Sequence, residues 1–314
     1  MSEFVVGSRG SALALAQTRQ VVDQLSRLHP DAGFRVEIIK TQGDRITDVA
    51  LAKIGEKGLF VKEIEAALLN GSIGFAVHSA KDLPSETDSS LVIAAFPERE
   101  NPADVLVSNK GRLFELPDGA VVGTSSVRRK AQLLAARQCL DIVDLRGNLD
   151  TRLRKLAEGC CDAIVLAYAG LKRMGWQDRA TEVLSYDVCL PAAGQGAIAL
   201  QCRKGQPVAE MLGALDHSPT RRCVSAERAL LRGLSAGCQT PIGALAEETD
   251  GRIVLRAVVA SLDGLSVVRD AIEGDSSRPE EIGELLAQRL LDSPAGEILE
   301  EVRRSAEPKT TGAA

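Results

Sequence analysis

Aromatic side chains are scarce in this sequence: six Phe, two Tyr and one Trp make up 3% of 314 residues. The interior must therefore be aliphatic, and the platforms on which nucleic-acid bases stack are missing. Histidine is scarcer still, and none of His29, His78 and His217 is spaced from the seven cysteines in a metal-binding pattern, so no metal is expected. Cys139, Cys160, Cys161, Cys189, Cys202, Cys223 and Cys238 form no CxxC pair and read as free thiols of a reducing compartment. No run approaches the roughly 18 apolar residues of a membrane span, and the opening MSEFVVGSRG has no apolar signal core, so a cytoplasmic protein without a membrane partner is expected.

The formal net charge is -5, which argues against a general polyanion binder such as a nucleic-acid-binding protein. The middle of the chain reverses that balance. From Arg128 to Arg179 eleven basic residues stand against six acidic ones, a local excess of about +5.

Short strands and amphipathic helices alternate through the first hundred residues, which favours an α/β sheet layered by helices. FVV opens a βα unit whose helix, from about Ala12 to Leu28, is capped by Ser11 or Ser8. A Pro-bracketed break, PERENP, precedes a second α/β unit over roughly 100 to 190. PAAGQGAIALQCR is a further Gly-rich entry into an apolar strand, and DHSPTRR reads as a linker before a helix over Cys223 to Leu234. A hairpin around LDG and a helix from about Pro279 to Leu291 complete a smaller α+β unit, and the tail SAEPKTTGAA is expected to be disordered.

Three strand-to-helix junctions share one chemistry. VVGTSSVRRKAQL sets Thr124, Ser125 and Ser126 before a helix with Arg128 and Arg129 in its first turn. DLRGNLDTRLRK repeats the design with Arg146 and Arg152, and GSRGS does so with Arg9 and Ser11. A serine there can simply cap its helix. Guanidinium groups beside free backbone N–H groups, however, make an anion site. FAVHSAKDLPSE puts Lys81 and Asp82 at a strand end, either an exposed ion pair or a proton-transfer site, with His78 read as structural. The loop KIGEKGLFVKE, with Lys53, Lys57 and Phe60, is either a lid or a solvated connection.

Taken together, GSRGSALA, KGLFVKE, HSAKDLP, GTSSVRRKAQL, LRGNLDTRL, AGLKRMG, PAAGQGAIA and GCQTPIG closely resemble the hydroxymethylbilane synthase (porphobilinogen deaminase) family, over about residues 5 to 260 in unchanged order. The resemblance implies two α/β domains like the halves of a type II periplasmic binding protein, plus a smaller C-terminal α+β domain carrying a cofactor cysteine. The corresponding ranges are 1–97 with 195–215, then 98–194, then 216–304, with 305–314 as the tail.

The resemblance also implies one covalent dipyrromethane per chain, bound through a thioether to Cys238, with porphobilinogen as substrate and a monomeric enzyme. Asp82, with Lys81 beside it, corresponds to the catalytic carboxylate. Ser11, Lys81, Asp82, Thr124, Ser125, Ser126, Arg128, Arg129 and Arg146 correspond to cofactor-binding positions. Arg9, Ser11, Phe60, Arg146, Arg152 and Arg173 correspond to substrate-binding ones. Ala80, where many relatives are bulkier, and the added Cys160 and Cys161 depart from the pattern without touching these roles. The competing expectation is a noncatalytic two-domain anion-binding protein, since fold alone does not fix function.

Overall fold

Thirteen strands build three sheets in this computed structural model, which describes residues 2–41, 61–84, 87–236 and 240–306. In chain order the strands are β1 (Ser2–Ser8), β2 (Ala32–Ile38), β3 (Phe75–Ser79), β4 (Leu91–Ala95), β5 (Asp104–Ser108), β6 (Val121–Gly123) and β7 (Asp141–Val143). They continue as β8 (Ala163–Ala167), β9 (Glu182–Val183), β10 (Ile198–Arg203), β11 (Ile242–Thr249), β12 (Arg252–Ala260) and β13 (Val267–Asp275).

The first sheet runs β2-β1-β3-β10-β4 and the second β7-β6-β8-β5-β9. The two orders are one pattern used twice. In each, the strand that opens a βα unit, β1 or β6, is flanked by parallel neighbours, and an antiparallel strand enters beyond a crossing between the sheets: β10 in the first, β5 in the second. This is the topology of a type II periplasmic-binding-protein pair. β3, β8 and β10 are buried along nearly their whole length, as strands covered on both faces must be, and their sequences are mostly apolar, with His78 and Gln201 as buried polar exceptions.

On the first sheet, Val6, Phe75, Val77 and Leu200 pack with Val21 and Leu25 of the Ala12–Leu28 helix. The opposite face holds Ile64 and Leu68 of the Lys62–Leu69 helix. Ser11 is the cap that starts the first of these helices, accepting from the Ala14 N–H at 3.2 Å. Placing the helix N-terminus there leaves Arg9 and Ser11 at the carboxyl end of β1, in the crevice such sheets use for ligands.

The third sheet, β11-β12-β13, is an antiparallel meander covered by the helices Ser218–Gly233, Pro279–Leu291 and Pro294–Ala306. Two features depart from the sequence reading. DHSPTRR is the start of a helix rather than a linker: Pro219 fits the first turn, where its missing N–H costs nothing, and the His217 ring pairs with the Thr220 hydroxyl at 2.9 Å. The Pro294–Ala306 helix was not expected; Ala295, Ile298 and Leu299 bury its apolar stripe in the third core.

The Ser218–Gly233 helix is fastened to the first sheet. Arg221 donates to the Ala94 carbonyl at 2.8 Å and lies over the Phe96 ring, and fully buried Val224 packs on Ala80, Leu83 and Phe96. The return loop ahead of β10 is equally constrained. Gly196 has φ +86, and a Cβ there would run into the Glu100 carbonyl of the crossing segment. Gly205, also left-handed at φ +72, has open space around it. Gly205→Ala should therefore cost about 1 kcal/mol, the backbone penalty alone. Gly196→Ala should cost about 2–4 kcal/mol, because overpacking adds to that penalty. Urea unfolding of both variants measures the contrast, and equal losses would contradict the close approach.

Candidate active site

β1, β3, β6 and β8 all deliver their carboxyl ends to the gap between the first two sheets, and the residues just beyond those ends form the site. From β3 the chain makes one tight turn, Ala80–Asp82, which projects Lys81 and Asp82. Asp82 stays partly exposed and lies 4.0 Å from the Arg9 guanidinium, which comes from the end of β1. A recess beside this turn is walled by Gln17, Ser79 and Lys81 on one side and Arg173, Gly194 and Gly196 on the other.

The Lys81 ammonium donates to the Gln195 side-chain oxygen at 3.3 Å. Burial lowers its pKa to about 8, opposed by Asp82 and assisted by Arg129. His78, one turn earlier, is buried and brought down to about 4 by desolvation, so it is neutral near pH 7. Arg173 donates Nη2 to the Gly196 carbonyl at 2.7 Å, while its Nε is buried without a partner among the described residues. Arg152 donates Nε to the Gly147 carbonyl at 2.8 Å. Burial lowers both guanidinium groups to about 10, and they remain cationic.

The TSS junction divides its tasks. Thr124 is buried and its hydroxyl accepts from the Ser126 N–H at 3.2 Å. The Ser125 hydroxyl donates to the Leu145 carbonyl at 2.6 Å, and Ser126 caps the Val127–Ala136 helix. Arg146, on the neighbouring junction, pairs with Asp144 at 2.9 Å.

Arg128 and Arg129 are only 5% exposed, and both meet a carboxylate of the protein's own. Asp104, fully buried at the head of β5, takes Arg128 Nη1 at 2.6 Å and Arg129 Nη2 at 2.7 Å. Burial pushes the Asp104 carboxyl up, but the two guanidinium groups outweigh it and hold it far below the usual carboxylate range. Cys189 donates to the same carboxylate at 3.3 Å, and burial, then Asp104, pushes that thiol up to about 12. The basic excess of the 128–179 segment is thus partly neutralised from outside the segment.

Sequence reasoning gave no role to Asp104, Gln195, Arg99 or Glu227, which form one continuous chain. Gln195 Nε2 donates to Asp104 at 2.8 Å, and Arg99 Nε donates to the Gln195 carbonyl at 2.8 Å. Arg99 also pairs with Glu227 at 2.7 Å, and Glu227, fully buried, accepts from the N–H groups of Gly194 and Ala246 at 2.6 and 2.8 Å. The available signals were an acidic residue heading an apolar strand, DVLVS, and a glutamine between two glycines. Lys53, Lys57 and Phe60 of the KIGEKGLFVKE segment, and Cys238, lie outside the described residues. The helix before Cys238 reaches the site, since Arg228 donates to the Pro84 carbonyl at 2.7 Å, two residues past Asp82.

The donor set is mainly cationic and hydroxylic, with Asp82 partly exposed beside it, and it fits a ligand bearing several carboxylates. Removing Asp104 would strand two buried guanidinium groups. Asp104→Asn should therefore lower the unfolding free energy at pH 7 by about 3–5 kcal/mol. Because the folded Asp104 pKa is depressed, its contribution is present above the ordinary value of 3.8 and lost only as pH falls toward the folded value. The variant should accordingly lose part of the wild type's acid-limb slope below pH about 4; an unchanged stability in denaturant titrations at pH 7 would contradict the pairing.

Comparison with known proteins agrees with this chemistry. The family described as "Porphobilinogen deaminase, dipyromethane cofactor binding domain" matches residues 4–210, and "Porphobilinogen deaminase, C-terminal domain" matches residues 221–292. A protein named porphobilinogen deaminase from Carboxydothermus hydrogenoformans is 54% identical over 97% of this chain and 98% of its own. Those of Desulforudis audaxviator and Synechococcus elongatus are 55% and 48% identical, each over 97% of this chain and covering 99% and 97% of their own. Among solved structures, the BvgS periplasmic VFT2 domain of Bordetella pertussis aligns over 68% of this chain and 84% of its own at 19% identity and a TM-score of 0.38. The chain belongs to the porphobilinogen deaminase family.

Proposed function

We propose that this chain is a hydroxymethylbilane synthase, a transferase that joins four porphobilinogen molecules into the linear tetrapyrrole hydroxymethylbilane, with Asp82 as its catalytic carboxylate. The observation that carries the reading is the meeting of one partly exposed carboxylate with Arg9, Lys81 and Arg173 at the facing strand ends, in a chain of this family.

Loss of ammonia from porphobilinogen leaves positive charge on the carbon beside the ring. Asp82, 4.0 Å from Arg9, can stabilise that charge and afterwards accept the α-proton of the joined ring. Each pyrrole brings two carboxylates. Arg9, Ser11, Arg146, Arg152 and Arg173 bind those of the incoming substrate; the Arg173 Nε at the recess wall, without a partner among the described residues, supports that role. We assign Phe60 to the substrate-binding set as well.

Cys238 would hold the dipyrromethane through a thioether, and the bound group would supply the free α-carbon at which the chain grows. Ser11, Lys81, Asp82, Thr124, Ser125, Ser126, Arg128, Arg129 and Arg146 would hold and orient it. The Arg128–Arg129–Asp104 cluster keeps one net positive charge, fixed in a water-poor site, for its acid groups. Lys81, with a pKa of about 8, is mainly an ammonium at neutral pH and can take another.

Residues 1–97 with 195–215, 98–194 and 216–304 act as three domains; β10 pairing with β3 and β4 supports the return of the chain to the first. The protein works as a monomer in the cytoplasm, with porphobilinogen as its small-molecule partner. In keeping with this, no described helix is long and apolar enough to cross a membrane.

Intact-mass measurement of the purified protein should find two pyrrole units added, absent in Cys238→Ser; an active but unmodified wild type would refute the covalent primer. Asp82→Ala should keep the wild-type melting temperature and lower kcat about 10²–10⁴-fold. Near-normal single-turnover ammonia release by that variant would remove Asp82 from the chemistry.

A further inference from the structure

Gln195 has no part in the roles above, yet its side chain is held from both ends. It is 1% exposed and stands between Gly194 and Gly196, both left-handed, with φ +72 and +86. Nε2 donates to the Pro102 carbonyl at 2.7 Å and to Asp104 Oδ1 at 2.8 Å, and Oε1 accepts from Lys81 Nζ at 3.3 Å. Two acceptors at one end decide which way the amide faces, because only its nitrogen can satisfy them. Flipping the amide would set oxygen against oxygen twice and the –NH₂ against an ammonium.

We infer that Gln195 is a positioning residue for Lys81: its amide, clamped by Pro102 and Asp104, presents its oxygen to the Lys81 ammonium, keeping that group charged and aimed at the recess. This rests on the reading that places Lys81 in the reacting site.

The surroundings make such help necessary. Burial and the guanidinium groups of Arg128 and Arg129, across the gap on the Val127–Ala136 helix, oppose the ammonium. Asp82 on its own turn and Asp104 on β5 favour it. Asp104 already serves two arginines, so most of its field is spent on them. Gln195 hands part of it on as an oriented dipole, without adding a charge that would compete for Arg129. The glycines on either side permit this, since a Cβ at Gly194 would lie 3.1 Å from the Lys81 backbone nitrogen, crowding the turn that the amide must meet.

The test compares Gln195→Met, which removes both ends of the amide at similar volume, with Gln195→Glu, which retains an acceptor toward Lys81 and loses the donors. Competitive acetylation of the intact cofactor-bearing enzyme across pH, read at Lys81 by peptide mass spectrometry, gives the lysine's pKa. The pH profile of kcat/KM is measured alongside. In Gln195→Met the Lys81 proton affinity should fall about tenfold, as loss of a hydrogen bond to a charged group implies, and the alkaline limb should move toward neutrality by about one unit. In Gln195→Glu the Lys81 pKa should stay or rise. An unchanged Lys81 pKa in the Met variant, or an equal fall in both, would overturn the inference and leave Gln195 a packing residue. If the Met variant does not fold, the Glu variant decides, since a Lys81 pKa below the wild type's contradicts an acceptor role. A lysine pKa that moves while the rate profile stands still supports the Gln195 contact and removes Lys81 from the catalytic reading.

Discussion

One buried carboxylate facing two buried arginines is the constraint around which the rest is arranged. Asp104 cannot sit fully buried without Arg128 and Arg129, and they cannot be so deeply buried without it. The three groups come from the first residue of β5 and the first turn of the Val127–Ala136 helix, so satisfying them fixes how that helix docks on its sheet. Arg129 also donates to the Val165 carbonyl on β8, and Arg128 to Leu190 beyond β9, which ties the cluster across the second sheet.

From that cluster a polar chain runs out to the other two sheets. Gln195 carries it to Lys81 at the end of β3, and Arg99 with Glu227 carries it to Ala246 on β11. Every link is buried or partly buried, and all but the 3.3 Å Lys81–Gln195 contact are short, so each is worth more than a surface ion pair and leaves a costly orphan when broken. Apolar packing runs alongside, with Val224 wedged on Ala80 and Leu83. The helix leading toward Cys238 and the turn carrying Asp82 are thereby referred to one frame. A site that must repeat one addition four times at the same place gains from such rigidity.

Much of this was legible in the sequence where a local rule applied. The Ser11 cap, the helix bounds 12–28 and 279–291 and the strand-end position of Lys81 and Asp82 follow from patterns within a few residues. The repeated 2-1-3-n-4 strand order was less so, because β10 lies more than a hundred residues from the strands it joins. Arg128 and Arg129 show the limit most clearly. Their place in a first helical turn pointed to an anion, but nothing local indicated that Asp104, 24 and 25 residues away, supplies one from within the protein. Gln195 was invisible for the same reason: its three partners, Lys81, Pro102 and Asp104, converge only after both crossings have formed.

The arginine pair is thus organised by the protein before any ligand arrives and stays so afterwards. A high-resolution crystal structure of the cofactor-bearing enzyme is the sharpest test. Both guanidinium groups should lie within hydrogen-bond distance of Asp104, with ligand carboxylates taken by their remaining N–H groups. Guanidinium groups swung away from Asp104 to pair with the ligand alone would contradict it.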